Sequence, residues 1–142
     1  MSKIKVLFVC IHNSARSQIA EAYLNQLAGD RFESESAGLE PGVLNPLIVR
    51  SMAEGGVDIS SNGTKGVKEM LEKGIQYDYV VAVCDKASAK ACPVFPGGAK
   101  HIHWGFDDPS QFTGSDEEKL EKIRIVRDQI KNRIDRWIEE IG

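Results

Sequence analysis

Three cysteines, at positions 10, 84 and 92, are the residues of this chain best suited to covalent chemistry. The first opens the stretch Cys10-Ile11-His12-Asn13-Ser14-Ala15-Arg16-Ser17. A thiolate is a nucleophile, and a guanidinium is a planar fork matched to two oxygens of a tetrahedral oxyanion. Cys-x5-Arg therefore joins an attacking group to an anion clamp. Two residues at a fixed spacing recur by chance, so the motif gains weight only from the elements around it. The plainer alternative is that Cys10 is a small buried residue ending a strand.

Those elements can be read from the apolar pattern. Ile4 to Val9 is apolar except for Lys5, as in a strand covered on both faces. After the loop 10–17, the stretch Ser17 to Ala28 places Ile19, Tyr23, Leu24 and Leu27 at helical spacing, and Gly29-Asp30 closes it. Phe32 to Ala37 reads as a second strand, ended by Gly38. Pro46 to Gly55 and Lys65 to Lys73 read as helices, with Gly56 and Gly74 as stops. Asp78 to Cys84 is a third strand and His101 to Trp104 a fourth. Asp116 to Ile141 is a long helix whose Leu120, Ile123, Val126, Ile130, Ile134, Trp137, Ile138 and Ile141 form one stripe. Strands alternating with helices predict an α/β fold: three layers, a four-stranded parallel sheet with helices on both faces. No repeat, linker or low-complexity tract divides residues 1–142, so a single domain is expected.

In such a sheet, ligands bind beyond the carboxyl ends of the strands. Cys10 stands at such an end, with a helix starting a few residues later. Backbone amides from Ile11 to Ser17 and the positive end of the helix dipole then converge on one spot, which suits a tetrahedral anion. The same field favours the thiolate form of the nucleophile. The chain has neither a Gly-Lys-Ser/Thr phosphate loop nor a Gly-x-Gly-x-x-Gly turn, so a nucleotide is not expected.

The composition fits this reading. Apolar residues are 42% and charged residues 27%, as in ordinary globular domains. Eighteen basic against 21 acidic residues give a net charge of -3, which argues against nucleic acid or an anionic membrane surface as partner. No run approaches the roughly 18 apolar residues of a membrane span, and the short apolar stretch after Met1 is not a secretory signal. A reducing cytoplasm is expected, where an odd number of cysteines suggests chemistry and not a disulfide framework. Zinc bound by Cys84, Cys92, His101 and His103 is a further alternative, but their spacing matches no common structural site.

Cys10 to Ser17 resembles the phosphate-binding loop of the low-molecular-weight protein tyrosine phosphatases and of the arsenate reductases built on the same flavodoxin-like winding. Gln18, Ala20 and Glu21 follow as in the reductases, where the phosphatases usually carry proline at the position of Gln18. The stretch His103-Trp-Gly-Phe-Asp-Asp-Pro109 is similar to a reductase signature, and Cys84 and Cys92 stand where that branch keeps two redox cysteines. Two departures are visible. The familiar members have one residue fewer between the redox cysteines. Some members also bind potassium through Asn13, Glu21, Ser36 and an aspartate, whose place Lys65 takes here. No metal and no cofactor are therefore expected.

The resemblance implies reduction of arsenate to arsenite, with phosphate or sulfate as analogues. Cys10 would attack arsenate, Cys84 would attack Cys10, and Cys92 would attack Cys84, each by thiol chemistry. Asp108 would be the general acid, with Asp107 beside it. Ser17 would hydrogen-bond the Cys10 thiolate and Asn13 would brace the loop, although both could equally be helix-capping residues. Thioredoxin would regenerate the enzyme, and a monomer is the default. The alternative is a tyrosine phosphatase using Cys10, Arg16 and Asp108 alone. If residues 84–92 were helical, the two cysteines would lie roughly 12 Å apart. A disulfide needs Cα atoms within about 7 Å, so this segment is predicted to unwind on oxidation.

Overall fold

The computed structural model describes residues 3–84, 95 and 97–141. Cys92 and the segment predicted to unwind lie outside the described residues.

The strands are β1 (Ile4–Cys10), β2 (Phe32–Gly38), β3 (Tyr79–Ala82) and β4 (Lys100–His103). They form one sheet in the order β2-β1-β3-β4, with every neighbouring pair parallel. The helices are α1 (Arg16–Ala28), α2 (Pro46–Glu54), α3 (Val67–Glu72) and α4 (Asp116–Ile141), with a 3-10 turn at Pro109–Gln111. The fold is the α/β arrangement expected.

The pleat sorts the central strand onto two cores. Val6, Phe8 and Cys10 face a large cluster containing Ile19, Leu24, Ile48, Met52 and the buried stripe of α4. Leu7 and Val9 face a smaller cluster with Val67, Met70, Val80 and Phe95. In the α4 stripe, Leu120, Ile123, Val126, Ile130, Ile134 and Trp137 are all buried. Each such side chain contributes roughly 1.5–3 kcal/mol on burial. Cys10 thus ends a strand whose position is fixed from both sides.

Element ends differ from the sequence reading in ways that bear on the site. The third strand stops at Ala82, so Cys84 lies two residues past its end. The hydrogen bonds nevertheless continue, with Val83 N donating to Val9 O and Trp104 N to Ala82 O, both at 2.8 Å. The helix expected from Lys65 begins only at Val67. Lys65 spends its amide on Asn13 Oδ1 at 2.9 Å and its carbonyl on Gly38 N at 2.8 Å, which keeps the backbone extended through Gly66.

Candidate active site

Loop 10–17 is shaped by what its carbonyls do. Those of Cys10, Ile11, His12 and Ser14 accept from the amides of Leu39, Glu40, Gly42 and Asn45, at 2.8–3.1 Å. Asn13 O accepts from Gln18 Nε2 at 3.1 Å, and Ala15 O from Ile19 N at 3.0 Å. In a trans peptide the C=O and the next N–H point in opposite directions. Drawing each carbonyl outward therefore turns the following amides inward, toward the Cys10 side. The Asn13 amide shows the result, standing 3.2 Å from Cys10 Sγ.

Helix α1 adds its positive end. Its N-cap residue, Ala15, makes no side-chain cap, and its first turn holds no acidic residue. The other long helices are closed differently: Asn45 Oδ1 caps α2 by accepting from Leu47 N at 2.9 Å, and α4 opens with Asp116, Glu117 and Glu118. A helix start left without a side-chain acceptor suits an external anion.

Asn13 is the brace. It is fully buried and adopts φ 55, a left-handed conformation that asparagine tolerates better than most residues. Its Oδ1 must face the Lys65 amide, because a backbone N–H can only donate. That fixes the amide orientation, so Nδ2 donates to Ser17 Oγ at 2.8 Å. The Ser17 hydroxyl proton is then directed to Cys10 Sγ, also 2.8 Å away. Hydroxyl and amide donors together stabilise a thiolate at this sulfur.

Arg16 is 3% exposed and tied to the opposite wall. Nη1 donates to Phe106 O at 3.1 Å, and Nη2 lies 3.5 Å from Asp108 Oδ2. The other Asp108 oxygen accepts from Ser110 N and Ser110 Oγ, at 2.9 and 2.8 Å. One carboxylate oxygen is anchored in the 3-10 turn while its twin faces the guanidinium. Asp107, the neighbouring carboxylate, is exposed. Cys84 is completely buried and belongs to the same core cluster as Cys10. Within the loop, Ile11 and Ser14 are half-buried, Ala15 and Ser17 are buried, and His12 is exposed with Nδ1 2.9 Å from Glu40 O.

Several contributors were not singled out from sequence for these roles. Gln18, 1% exposed, donates from Nε2 to Asn13 O and Gly63 O, at 3.1 and 3.0 Å, and accepts from Asn62 Nδ2 at 3.1 Å. Gly38 lets the loop pass: a Cβ there would stand 2.7 Å from Asn13 N and from His12 C. The available signal is a glycine closing the strand beside the one that carries Cys10. Below the loop, burial pushes the Glu21 carboxyl up, opposed by a 2.6 Å hydrogen bond from Ser36 Oγ and by the positive charge of Lys65. Gln18, Glu21, Asn62, Gly63 and Lys65 line a pocket of about 310 Å³ there. Both ring nitrogens of His101 are engaged by backbone, Nδ1 with Ala99 O and Nε2 with Phe95 N, which weighs against its use as a zinc ligand.

The chain that builds this cage of amides around a thiol, with its buried arginine and facing carboxylate, matches a known sequence family. The model of the low molecular weight phosphotyrosine protein phosphatases covers residues 5–142. The chain belongs to that family. Within it, the chain is 41% identical over 140 residues to an arsenate reductase from Halalkalibacterium halodurans, spanning 98% of both chains. A solved arsenate reductase in its oxidized state superposes with a TM-score of 0.80 at 29% identity, over 97% of this chain and 98% of that one. The thioredoxin-dependent arsenate reductase of Corynebacterium glutamicum superposes with a TM-score of 0.61 at 28% identity, over 94% of this chain and 62% of that longer one.

Proposed function

We propose that this family member is a single-domain arsenate reductase that works through Cys10, Cys84 and Cys92 and is regenerated by thioredoxin in the cytoplasm. The observation that carries the reading is that Cys10, the last residue of β1, and Cys84, just past the end of the neighbouring β3, are both buried at the carboxyl ends of their strands. A phosphatase needs Cys10, Arg16 and Asp108 but has no use for a second thiol there.

The chemistry follows from the cage. Arsenate sits against the loop amides and Arg16, and Cys10 Sγ attacks the arsenic. An S–As bond forms as one oxygen leaves, protonated by Asp108. Cys84 Sγ then attacks Cys10 Sγ. The S–S bond forms, the S–As bond breaks, and its electron pair stays on arsenic, which departs as arsenite. Two thiols have become a disulfide and arsenic has gained two electrons. Cys92 next attacks Cys84 Sγ and frees the Cys10 thiolate, leaving a Cys84–Cys92 disulfide for the dithiol of thioredoxin to reduce. The thioredoxin-dependent relative from Corynebacterium glutamicum supports that donor.

Phosphate and sulfate share the tetrahedral shape and act as analogues. The positive charge of Lys65, which acts on Glu21, stands for the cation that some relatives bind, and no metal or cofactor is expected. A monomer without nucleic-acid or membrane partners completes the reading. Among the described residues, no helix is long and apolar enough to cross a membrane.

The test mixes the protein with arsenate, thioredoxin, thioredoxin reductase and NADPH. Arsenate-dependent NADPH oxidation that disappears in Cys10→Ser, Cys84→Ser and Cys92→Ser is the expected result. A flat trace with thioredoxin and also with glutaredoxin and glutathione, beside brisk hydrolysis of an aryl phosphate, would make the protein a tyrosine phosphatase instead.

A further inference from the structure

The peptide carbonyl of Cys84 is held by a side chain. His103 Nε2 lies 2.6 Å from Cys84 O. A carbonyl only accepts, so Nε2 carries the proton and donates it. The bond sits where sheet hydrogen bonding runs out. Ala82 O accepts from Trp104 N, the next rung between β3 and the end of β4, and the strand itself has already stopped. The imidazole adds a rung at Cys84 that the backbone of β4 does not supply. On the other side, Val83 N is fixed to Val9 O of β1. The Ala82–Val83 peptide is thus bonded to both neighbouring strands, one of which carries Cys10, and the imidazole fixes the carbonyl of Cys84 two peptides further on.

We propose that His103 is a positioning residue for the second thiol. Its Nε2–H orients the Cys84 peptide so that Cys84 Sγ attacks along the S–As bond of the Cys10 adduct. In that step the S–S bond forms, the S–As bond breaks, and arsenite leaves with the electron pair. This assignment rests on the reductase reading above. It makes His103 dispensable for the first step, because the histidine touches neither the loop nor Arg16 in any hydrogen bond of the described residues. Displacing one reacting atom by about 1 Å costs on the order of a hundredfold in rate.

The test uses His103→Phe, which keeps a flat ring and removes the donor, and His103→Gln, which returns an N–H to the same region. Two steps are read separately. Alkylation of Cys10 by iodoacetamide, and its protection by inorganic phosphate, report the loop. Single-turnover arsenite release, with mapping of the Cys10–Cys84 disulfide in a Cys92→Ser background, reports the second step. His103→Phe should leave the first readout within about twofold and slow the second by roughly ten- to a hundredfold, with most of the rate regained in His103→Gln. Wild-type disulfide formation in His103→Phe overturns the assignment, as does an equal loss in both readouts. If the protein with native His103 never forms the Cys10–Cys84 bond, the reductase reading falls and takes this assignment with it.

Discussion

The two sides of the candidate site are built by different means. Loop 10–17 is held by backbone bonds at nearly every carbonyl and by the buried side chains of Asn13, Ser17 and Gln18. Among the described residues, the facing groups Cys84, His103 and Asp108 are joined to the site by side-chain contacts: the imidazole on Cys84 O, the two Arg16 bonds and the Ser110 clasp on Asp108. The difference separates binding from turnover. An oxyanion cage must be ready before its ligand arrives, since donors aimed in advance need not reorganise. In the proposed mechanism the wall would deliver groups that act in sequence, a proton from Asp108 and a sulfur from Cys84, and selective contacts suit that task better.

The comparison breaks if changes in the wall also destroy the cage. Asp108→Asn should cut arsenate turnover by roughly 10²–10⁴-fold, the usual scale for a lost general acid. Cys10 alkylation and its protection by phosphate should stay close to wild type. Loss of phosphate protection in this variant would mean that the Arg16–Asp108 contact shapes the loop and that the two sides are not separable.

A change under the loop should do the reverse and abolish both functions. In Gly38→Ala the new Cβ would meet backbone atoms of His12 and Asn13 at 2.7 Å, and backbone cannot swing aside as a side chain can. The loop must shift, and displaced donors should cost about a hundredfold in both phosphate protection and turnover. Retention of either would show that the loop is softer than its hydrogen bonds imply.

This contrast also explains what could be read from the sequence. Cys10, Arg16 and helix α1 are contiguous, so their joint geometry follows from one strand-to-helix connection. The parallel sheet and the α4 stripe follow from alternation and period. Contacts made across long separations left no local mark. Gln18 reaches Gly63, 45 residues away, and Arg16 reaches Phe106, 90 residues away. Lys65 reads as helical because its neighbours are, yet its backbone is claimed by Asn13 and Gly38. Asp107 and Asp108 are equivalent by composition; only the turn begun by Pro109 directs the second toward Arg16.

A smaller effect tests the thiolate itself. Ser17→Ala removes the 2.8 Å hydrogen bond to Cys10 Sγ and leaves Asn13 Nδ2 without its acceptor. A bond to a charged group contributes about 1.5–3 kcal/mol, part of which the Asn13 amide still supplies at the sulfur. Alkylation of Cys10 at neutral pH should slow by roughly tenfold, that is by about 1.4 kcal/mol. An unchanged rate would assign the activation to the backbone amides and helix dipole alone.

The smallest effect belongs to a place remote from both sides, and it separates stability from site order. Glu54 at the end of α2 accepts from Arg124 Nε and Nη2 of α4, at 2.9 and 2.6 Å, with Arg127 Nη1 3.3 Å away. The Arg124 hydrogen bonds and the two positive charges hold its carboxyl well below the ordinary 4.5, at about 2. Because the folded value lies below the unfolded one, the stabilisation is complete above pH 4.5 and fades as pH falls toward 2. Glu54→Gln should therefore lower the thermal midpoint by at most a few degrees at pH 7, as expected of a largely solvent-screened pair. The gap to wild type should close as the medium is acidified. Cys10 alkylation and phosphate protection should not move at neutral pH. If they do, the oxyanion cage draws on the stability of the whole helical layer, and the loop is less self-sufficient than its own hydrogen bonds suggest.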